Sequence, residues 1–293
     1  MIVNYRSYDE LTRCLASLEP ARAVFSQVTI VDHESDLAAA ARVSGRFPWI
    51  TLVERTTNEG FATGVNLGVR GSGAPFLLLL NPDCVADGEA LARLVTFAES
   101  RPDAAVIGPR ILNADGSVQG SARRFPGLST FVAGRSSWLT RAFPGNPLSR
   151  WNLPGRTESG GSMAVDWVSG ACMLIRRSAF EQVGGMDERF FLYWEDADFC
   201  RRLTRRGWRV VYYPAVSVTH VGGRSSIHAY RESLAAFHAS AFILFRTHAS
   251  WALQGLAPLV YVVLQARLRA LLYIHRNRLT STRLVSSERS SHL

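Results

Sequence analysis

The sequence contains no lysine, so all 33 residues in its lysine-plus-arginine count are arginine. Against 24 aspartates and glutamates they leave a net charge of +9. The arginines are dispersed and no nucleic-acid motif accompanies them, which argues against a nucleic-acid partner. The positive balance fits phosphates or an acidic membrane surface instead. Cysteine is scarce. Cys14, Cys84, Cys172 and Cys200 lie far apart with no Cys-x-x-Cys pair, which excludes a zinc ribbon and a disulfide framework. They read as small core residues of a reducing compartment. Also missing are the Gly-x-Gly-x-x-Gly and Walker spacings, any internal repeat, and the charged-then-apolar pattern of a secretory leader. The 293 residues, 47% of them hydrophobic, suffice for one large or two small domains with a sizeable core, and exclude wholesale disorder.

What is present begins as an alternation. Ile2-Val3 reads as the stub of a strand. Asp9 to Leu18 is an amphipathic helix with Leu11, Leu15 and Leu18 on one face. Val28–Val31, Ile50–Val53, the unbroken run Phe76–Leu80 and Ala105–Ile107 read as strands. Helices are expected between them over 37–43, 61–69 and 89–99. This rhythm implies a parallel sheet covered by helices on both faces, with ligands at the carboxyl ends of its strands. From Asn113 to Val165 the pattern breaks into Gly, Pro, Ser and Arg, which reads as a partly ordered substrate lid or insertion. Order returns with Asp166 to Ile175, a turn into a strand. A helix over 178–183 and strands over 210–213 and 216–220 follow.

The tail is different in kind. Leu234 to Phe245 is apolar with helical period, and Thr247 to Ala266 holds no charged residue apart from histidine. Arg267, Arg269, Arg276, Arg278 and Arg283 follow. Three readings fit: a spanning helix, an interfacial helix with a basic flank, or burial against the remaining chain or a second subunit. Residues from Ser286 onward read as a disordered end.

Several residues carry candidate chemistry, each with a structural alternative. Phe190, Phe191, Tyr193 and Trp194 lead into Glu195, Asp196 and Asp198 at a helix start. The acids could all serve as caps and dipole partners. But one is enough for a cap, and a carboxylate beside apolar rings tends to a raised pKa that suits a general base. Asp83, after the buried strand and Pro82, is either a turn residue or a divalent-ion ligand. Asp32 is either a helix cap or a ligand contact. Asn58 to Gly68 places Gly60, Gly64 and Gly68 on a helix start, either for close helix packing or for backbone approach to a phosphate or sugar. His220 ends a short strand as a structural histidine or a ligand, with Gly222-Gly223 and Arg224 able to bend over an anion.

In order, Val3-Asn4-Tyr5, Val31-Asp32, Asn58-Glu59-Gly60-Phe61 with Gly64 and Asn66, Leu80-Asn81-Pro82-Asp83, Gly170-Ala171-Cys172-Met173-Leu174, Asp187 to Phe191 with Trp194-Glu195-Asp196, and His220 with Gly222-Gly223 form a set. The set resembles glycosyltransferase family 2, and within it the bacterial rhamnosyltransferase-like members, over roughly 2–226. The resemblance implies an α/β GT-A nucleotide-diphospho-sugar transferase fold, a Rossmann-like mixed central sheet flanked by helices, with a C-terminal helical tail. It divides the chain into a transferase domain over 1–226, a helical basic region over 227–285 and a tail over 286–293.

The resemblance also implies roles. Asp32 with Asn4 would hold the nucleoside. Asn58, Gly60, Asn66, Asn81 and Asp83 would complete the nucleotide-sugar site. Asp83 and His220 would ligate Mg²⁺ or Mn²⁺. Asp196 would be the catalytic base beside Glu195, with Trp194, Gly170 and Ala171 on the acceptor side. The implied reaction is inverting transfer of a sugar, with rhamnose from dTDP-rhamnose as the leading expectation. The acceptor would be a hydroxyl of a surface glycan or lipid-linked acceptor, at the cytoplasmic face of the membrane. The expected partners are the donor, the acceptor, a peripheral membrane contact through the tail, and a second copy of the chain. The departures are His33-Glu34 in the Asp-Asn-Gly-Ser turn, Asn81 in place of the first acid of Asp-x-Asp, and a first strand short enough to suggest a start several residues late. They motivate one alternative, a catalytically inactive GT-A scaffold.

Overall fold

The computed structural model describes residues 1–127, 142–143, 147, 152, 161–221 and 230–290, with side chains through 277. Two compact units emerge: Met1–Phe191 with Glu195–Ser225, and Leu192–Trp194 with Ser226–Leu293.

The first unit opens with the expected alternation. β1 (Ile2–Tyr5), β2 (Val28–His33) and β3 (Ile50–Arg55) are parallel, with Asn4 level with Asp32. Every residue of β2 is buried, the polar Thr29, Asp32 and His33 included. Helices α1 (Tyr8–Leu18), α2 (Leu37–Arg46) and α3 (Phe61–Val69) connect or flank these strands. Asp36 starts α2 by accepting from the amides of Ala38 and Ala39, both at 3.0 Å. On α1, Leu11, Leu15 and Leu18 are all buried. They meet Ile2, Ile30, Val43 and Leu91 in one core.

Two hydrogen bonds at Met1 carry the order on to β4 (Phe76–Leu80): Met1 nitrogen donates to Leu78 and the Leu80 amide donates to Met1, at 3.0 and 3.1 Å. β4 is followed by β5 (Cys84–Ala86), helix α4 (Gly88–Glu99) and β6 (Ala104–Leu112). Beyond β4 the sheet is mixed rather than parallel. β11 (Cys172–Arg176) runs antiparallel to both β4 and β6, β12 (Arg209–His220) runs parallel to β6, and β5 closes the order antiparallel to β12. The strand–helix rhythm therefore predicts a common direction correctly for β1–β3, and β4 and β6 also share one direction; the strands that oppose their neighbours are β11, outside that rhythm, and the short β5. β12 is one strand where two are expected, because Pro214 lacks an amide hydrogen and the register slips between Tyr213 and Ser217 without ending the pairing.

The segment 113–165, expected to be partly ordered, holds three short strands among its described residues. β7 (Val118–Gln119) folds back on β6 through an Asn113–Ser117 turn in which Gly116 has φ +80°. β8 (Ala122–Arg123) pairs with β10 (Trp167–Val168), and β9 (Met163–Val165) pairs with β12. The remainder of that segment, including 128–141 and 153–160, lies outside the described residues, as do Gly222-Gly223, Arg224 and Ser225-Ser226. Helices α5 (Arg177–Gln182) and α6 (Glu195–Arg205) complete the unit. Burial pushes the Cys14 and Cys172 thiols up to about 12, so these residues serve the core as inert side chains.

The second unit consists of α7 (Tyr230–His248), the short α8 (Trp251–Gln254) and α9 (Ala257–Ser290). α9 continues through the start of the expected disordered tail, and 291–293 lie outside the described residues. His238 on α7 is buried, donates from Nδ1 to the Leu234 carbonyl at 2.8 Å and accepts from Arg267 at 3.2 Å. Burial holds its pKa below the ordinary histidine value. Phe237 packs against both Tyr193 and Trp194, and Ser240 donates to the Leu192 carbonyl. Segment 257–277 is long and apolar enough to cross a membrane, and Trp251, Leu259, Val262 and Tyr273 are exposed.

Candidate active site

One turn ties the catalytic candidates together. Gly170 and Ala171 precede β11, which lies antiparallel to β4 and so brings the start of one strand to the end of the other. The Gly170 amide donates to Asp196 Oδ2 at 3.0 Å, and the next carbonyl, Ala171, accepts from the Asn81 amide at 2.9 Å. Two adjacent residues thus fix Asn81-Pro82-Asp83 on one side and the carboxylate of Asp196 on the other.

On the first side, β5 pairs antiparallel with the end of β12, with Cys84 level with His220. That register places Asp83 against the histidine: His220 Nε2 lies 3.1 Å from Asp83 Oδ1, and both side chains are mostly buried. Donor atoms of Asp83, Cys84 and His220 lie within 4.8 Å of one another. Cys84 is a poor ligand. Its thiol donates to the Ala171 carbonyl at 3.2 Å, and burial pushes its pKa well above the ordinary range. The oxygen of Asp83 and the nitrogen of His220 are donors of the kind a Mn²⁺-class ion accepts.

On the second side, Tyr193 and Trp194 take left-handed φ of 68° and 70° just before α6 begins at Glu195. Glu195 is buried, and Asp196 is partly so. Burial raises the pKa of both. Asp196 also raises that of Glu195, whereas the Gly170 amide and the Arg123 charge pull Asp196 back down. Burial thus disfavours charge on both carboxyls, and at Asp196 two amides and a guanidinium oppose that push. Asp196 Oδ1 accepts from the Ala197 amide at 2.8 Å. Asp198, read from the sequence as a cap, is fully buried and ion-paired with Arg202 at 2.7 Å.

At the ends of β1 and β2, Asp32 is fully buried and accepts from Asn4 Nδ2, Tyr8 and Ser35. Among the described residues, the buried Asn4 Oδ1 has no partner. His33, one of the departures in the turn, lies with its ring nitrogens against the carbonyls of Thr57 and Gly60 at 3.3 and 3.1 Å. The Asn58–Asn66 segment serves the protein itself. Asn58 accepts from the Gly60 amide, and the Phe61 amide donates to Phe191 at 2.7 Å. A Cβ on Gly60 would meet the Phe191 carbonyl oxygen at 2.6 Å, so the close backbone approach expected at this glycine is to Phe191. Asn66 donates to Met186 and Glu188 and accepts from the Met186 amide, which anchors the loop leading to α6.

Two residues inside the Asn113–Val165 stretch that reads only as a lid reach the site. Gln119 touches the His220 ring at 3.1 Å and its carbonyl at 3.2 Å. Arg123, whose charge acts on Asp196, stacks at 4.6 Å over Trp167. The local signal was Asp115-Gly116 between Ile111-Leu112 and Val118, a hairpin turn that would have placed Gln119 on a strand.

Residues 1–239 match the sequence pattern described as Glycosyltransferase like family 2. The N-acetylglucosaminyl-diphospho-decaprenol L-rhamnosyltransferase of Mycobacterium tuberculosis is 35% identical over 263 residues, covering 85% of this chain and 84% of the relative. The rhamnosyltransferase WbbL of Escherichia coli K12 is 31% identical over 146 residues, which is 50% of this chain and 52% of that one. The fold is also that of a mannosyltransferase from Pyrobaculum calidifontis solved with GDP-Man and Mn²⁺, with a TM-score of 0.57 at 16% identity, covering 94% of this chain and 78% of that one. The chain belongs to the family-2 glycosyltransferases: it is a GT-A enzyme of the hexosyltransferase class, similar to bacterial rhamnosyltransferases.

Proposed function

We propose that this enzyme transfers rhamnose from dTDP-rhamnose, with inversion, to a hydroxyl of a lipid-linked glycan. The observation that carries the mechanism is the Gly170-Ala171 turn, which holds Asp196 and the Asn81–Asp83 corner in one backbone unit.

Asp196 takes the proton from the acceptor hydroxyl as that oxygen attacks the anomeric carbon. The bond from the sugar to the diphosphate breaks on the opposite side, so the carbon inverts and no sugar–enzyme bond forms. Two amide donors aim the Asp196 carboxylate, and its raised pKa makes it a better base than an exposed aspartate. Burial and the neighbouring Asp196 push the Glu195 pKa up, which disfavours a second negative charge beside the base. Asp83 and His220 would hold Mn²⁺ or Mg²⁺, and their oxygen–nitrogen donor set favours Mn²⁺. A bound ion would offset the charge of the departing nucleoside diphosphate. Asn4 and Asp32 shape the nucleoside end. Asn58, Gly60 and Asn66 act by holding the Phe191 and Met186 segments in place. Gly170 and Ala171 would border the acceptor.

The exposed apolar surface of α9, followed by its arginines, seats the enzyme on the cytoplasmic face of a membrane, where a lipid-linked acceptor resides. The test is release of dTDP from dTDP-rhamnose by the purified enzyme with Mn²⁺ and a sugar-diphospho-polyprenol, with other nucleotide sugars as competitors. Faster release from another donor would replace rhamnose in this reading, and retention of the anomeric configuration would end it.

A further inference from the structure

Gln119 has no part in the mechanism above, yet it grips one residue of the site at two points. Its Nε2 lies 3.2 Å from the His220 carbonyl oxygen, and its Oε1 lies 3.1 Å from His220 Nδ1. The two contacts fix each other. A carbonyl oxygen only accepts, so the amide nitrogen of Gln119 must face it. That turns the amide oxygen to the ring. An amide oxygen has no hydrogen to give, so the ring nitrogen it faces, Nδ1, carries one. The remaining ring nitrogen, Nε2, is the atom 3.1 Å from Asp83 Oδ1.

The fold places this clamp deliberately. Gln119 pairs with Ile111 of β6, and the adjoining Leu112 pairs with Thr219, the residue before His220. The turn at Asn113–Ser117, closed by two backbone hydrogen bonds of 2.8 and 2.9 Å, sets that register. The clamp and the ring it holds are thus attached to one strand, β6.

We propose that Gln119 is a positioning residue: it keeps the hydrogen of His220 on Nδ1 and holds the ring so that Nε2 is its one ligand atom, aimed at Asp83. The proposal rests on the reading of Asp83 and His220 as metal ligands. Partners that fix a ligating imidazole in this way are worth about 10–100-fold in metal affinity.

The experiment titrates Mn²⁺ into the full chain with dTDP present, for wild type, Gln119→Leu, Gln119→Glu, His220→Ala and the Gln119→Leu/His220→Ala double variant, with a thermal midpoint for each. Gln119→Leu should weaken Mn²⁺ about 10–100-fold. Gln119→Glu, which keeps an acceptor at Nδ1, should bind within a few-fold of wild type. The double variant should bind no more weakly than His220→Ala alone, because Gln119 acts only through the histidine. A merely structural Gln119 would lower the midpoint without this pattern. The proposal is overturned if Gln119→Leu leaves affinity unchanged while His220→Ala weakens it, if Gln119→Glu is as weak as Gln119→Leu, or if Gln119→Leu still weakens binding without the histidine. His220→Ala binding Mn²⁺ like wild type would instead remove the metal reading itself, and this proposal with it.

Discussion

The two units use their apolar side chains in opposite ways. In the first, Leu11, Leu15, Leu91 and Leu94 are almost wholly buried, and the polar residues of the site are hydrogen-bonded within the same core. In the second, Trp251 is 90% exposed and Val262 61%. A buried leucine contributes about 1.5–3 kcal/mol to its own unit, whereas an exposed one contributes only when something else covers it. The first unit is therefore read as carrying the chemistry and its own stability, and the second as carrying an association surface. Substitutions can separate the two.

The largest effect falls on Asp196. Asp196→Asn should lower turnover by about 10²–10⁴-fold while leaving donor binding and thermal stability near wild type. A turnover loss that came with lost folding would merge site and scaffold and weaken the contrast. Next is Leu15→Ala, which should cost about 2–5 kcal/mol in urea unfolding. Val262→Ser in the second unit should stay within about 0.5 kcal/mol yet reduce cosedimentation with anionic vesicles.

The pH dependence is subtler. The base must be ionised, and burial raises its pKa, so kcat/KM should fall with acidification from a pH above the ordinary aspartate range of about 3.9. Arg123→Ala removes a charge that favours the ionised form and should move that limb to higher pH. For Glu195 the linkage sign is the reverse of a salt-bridged carboxylate. Its folded pKa lies above its unfolded one, so the folded state binds the proton more tightly. Stability is then lost as pH rises from the unfolded pKa toward the folded one. Glu195→Gln should flatten that dependence in thermal melts run at increasing pH.

Much of the first unit was legible in the sequence because burial there has a period. Three leucines on α1 and the unbroken run of β4 declare their faces. The direction of β11 was not legible, since it resembles any buried strand and only its pairing with β4 and β6 makes it antiparallel. The same limit explains Gln119 and Asn66, whose partners stand 101 and 120 residues away. Asp83, Asp196 and His220 could be singled out because each ends a strand or starts a helix. For the tail, composition revealed its apolarity, but its exposure had to come from the structure.

The most direct test of the central claim is a crystal structure with Mn²⁺ and dTDP-rhamnose bound. The diphosphate should lie beside Asp83, and a carboxylate oxygen of Asp196 should lie on the acceptor side of the sugar, within reach of an incoming hydroxyl. A diphosphate held away from Asp83, or a sugar whose open face points away from Asp196, would contradict it.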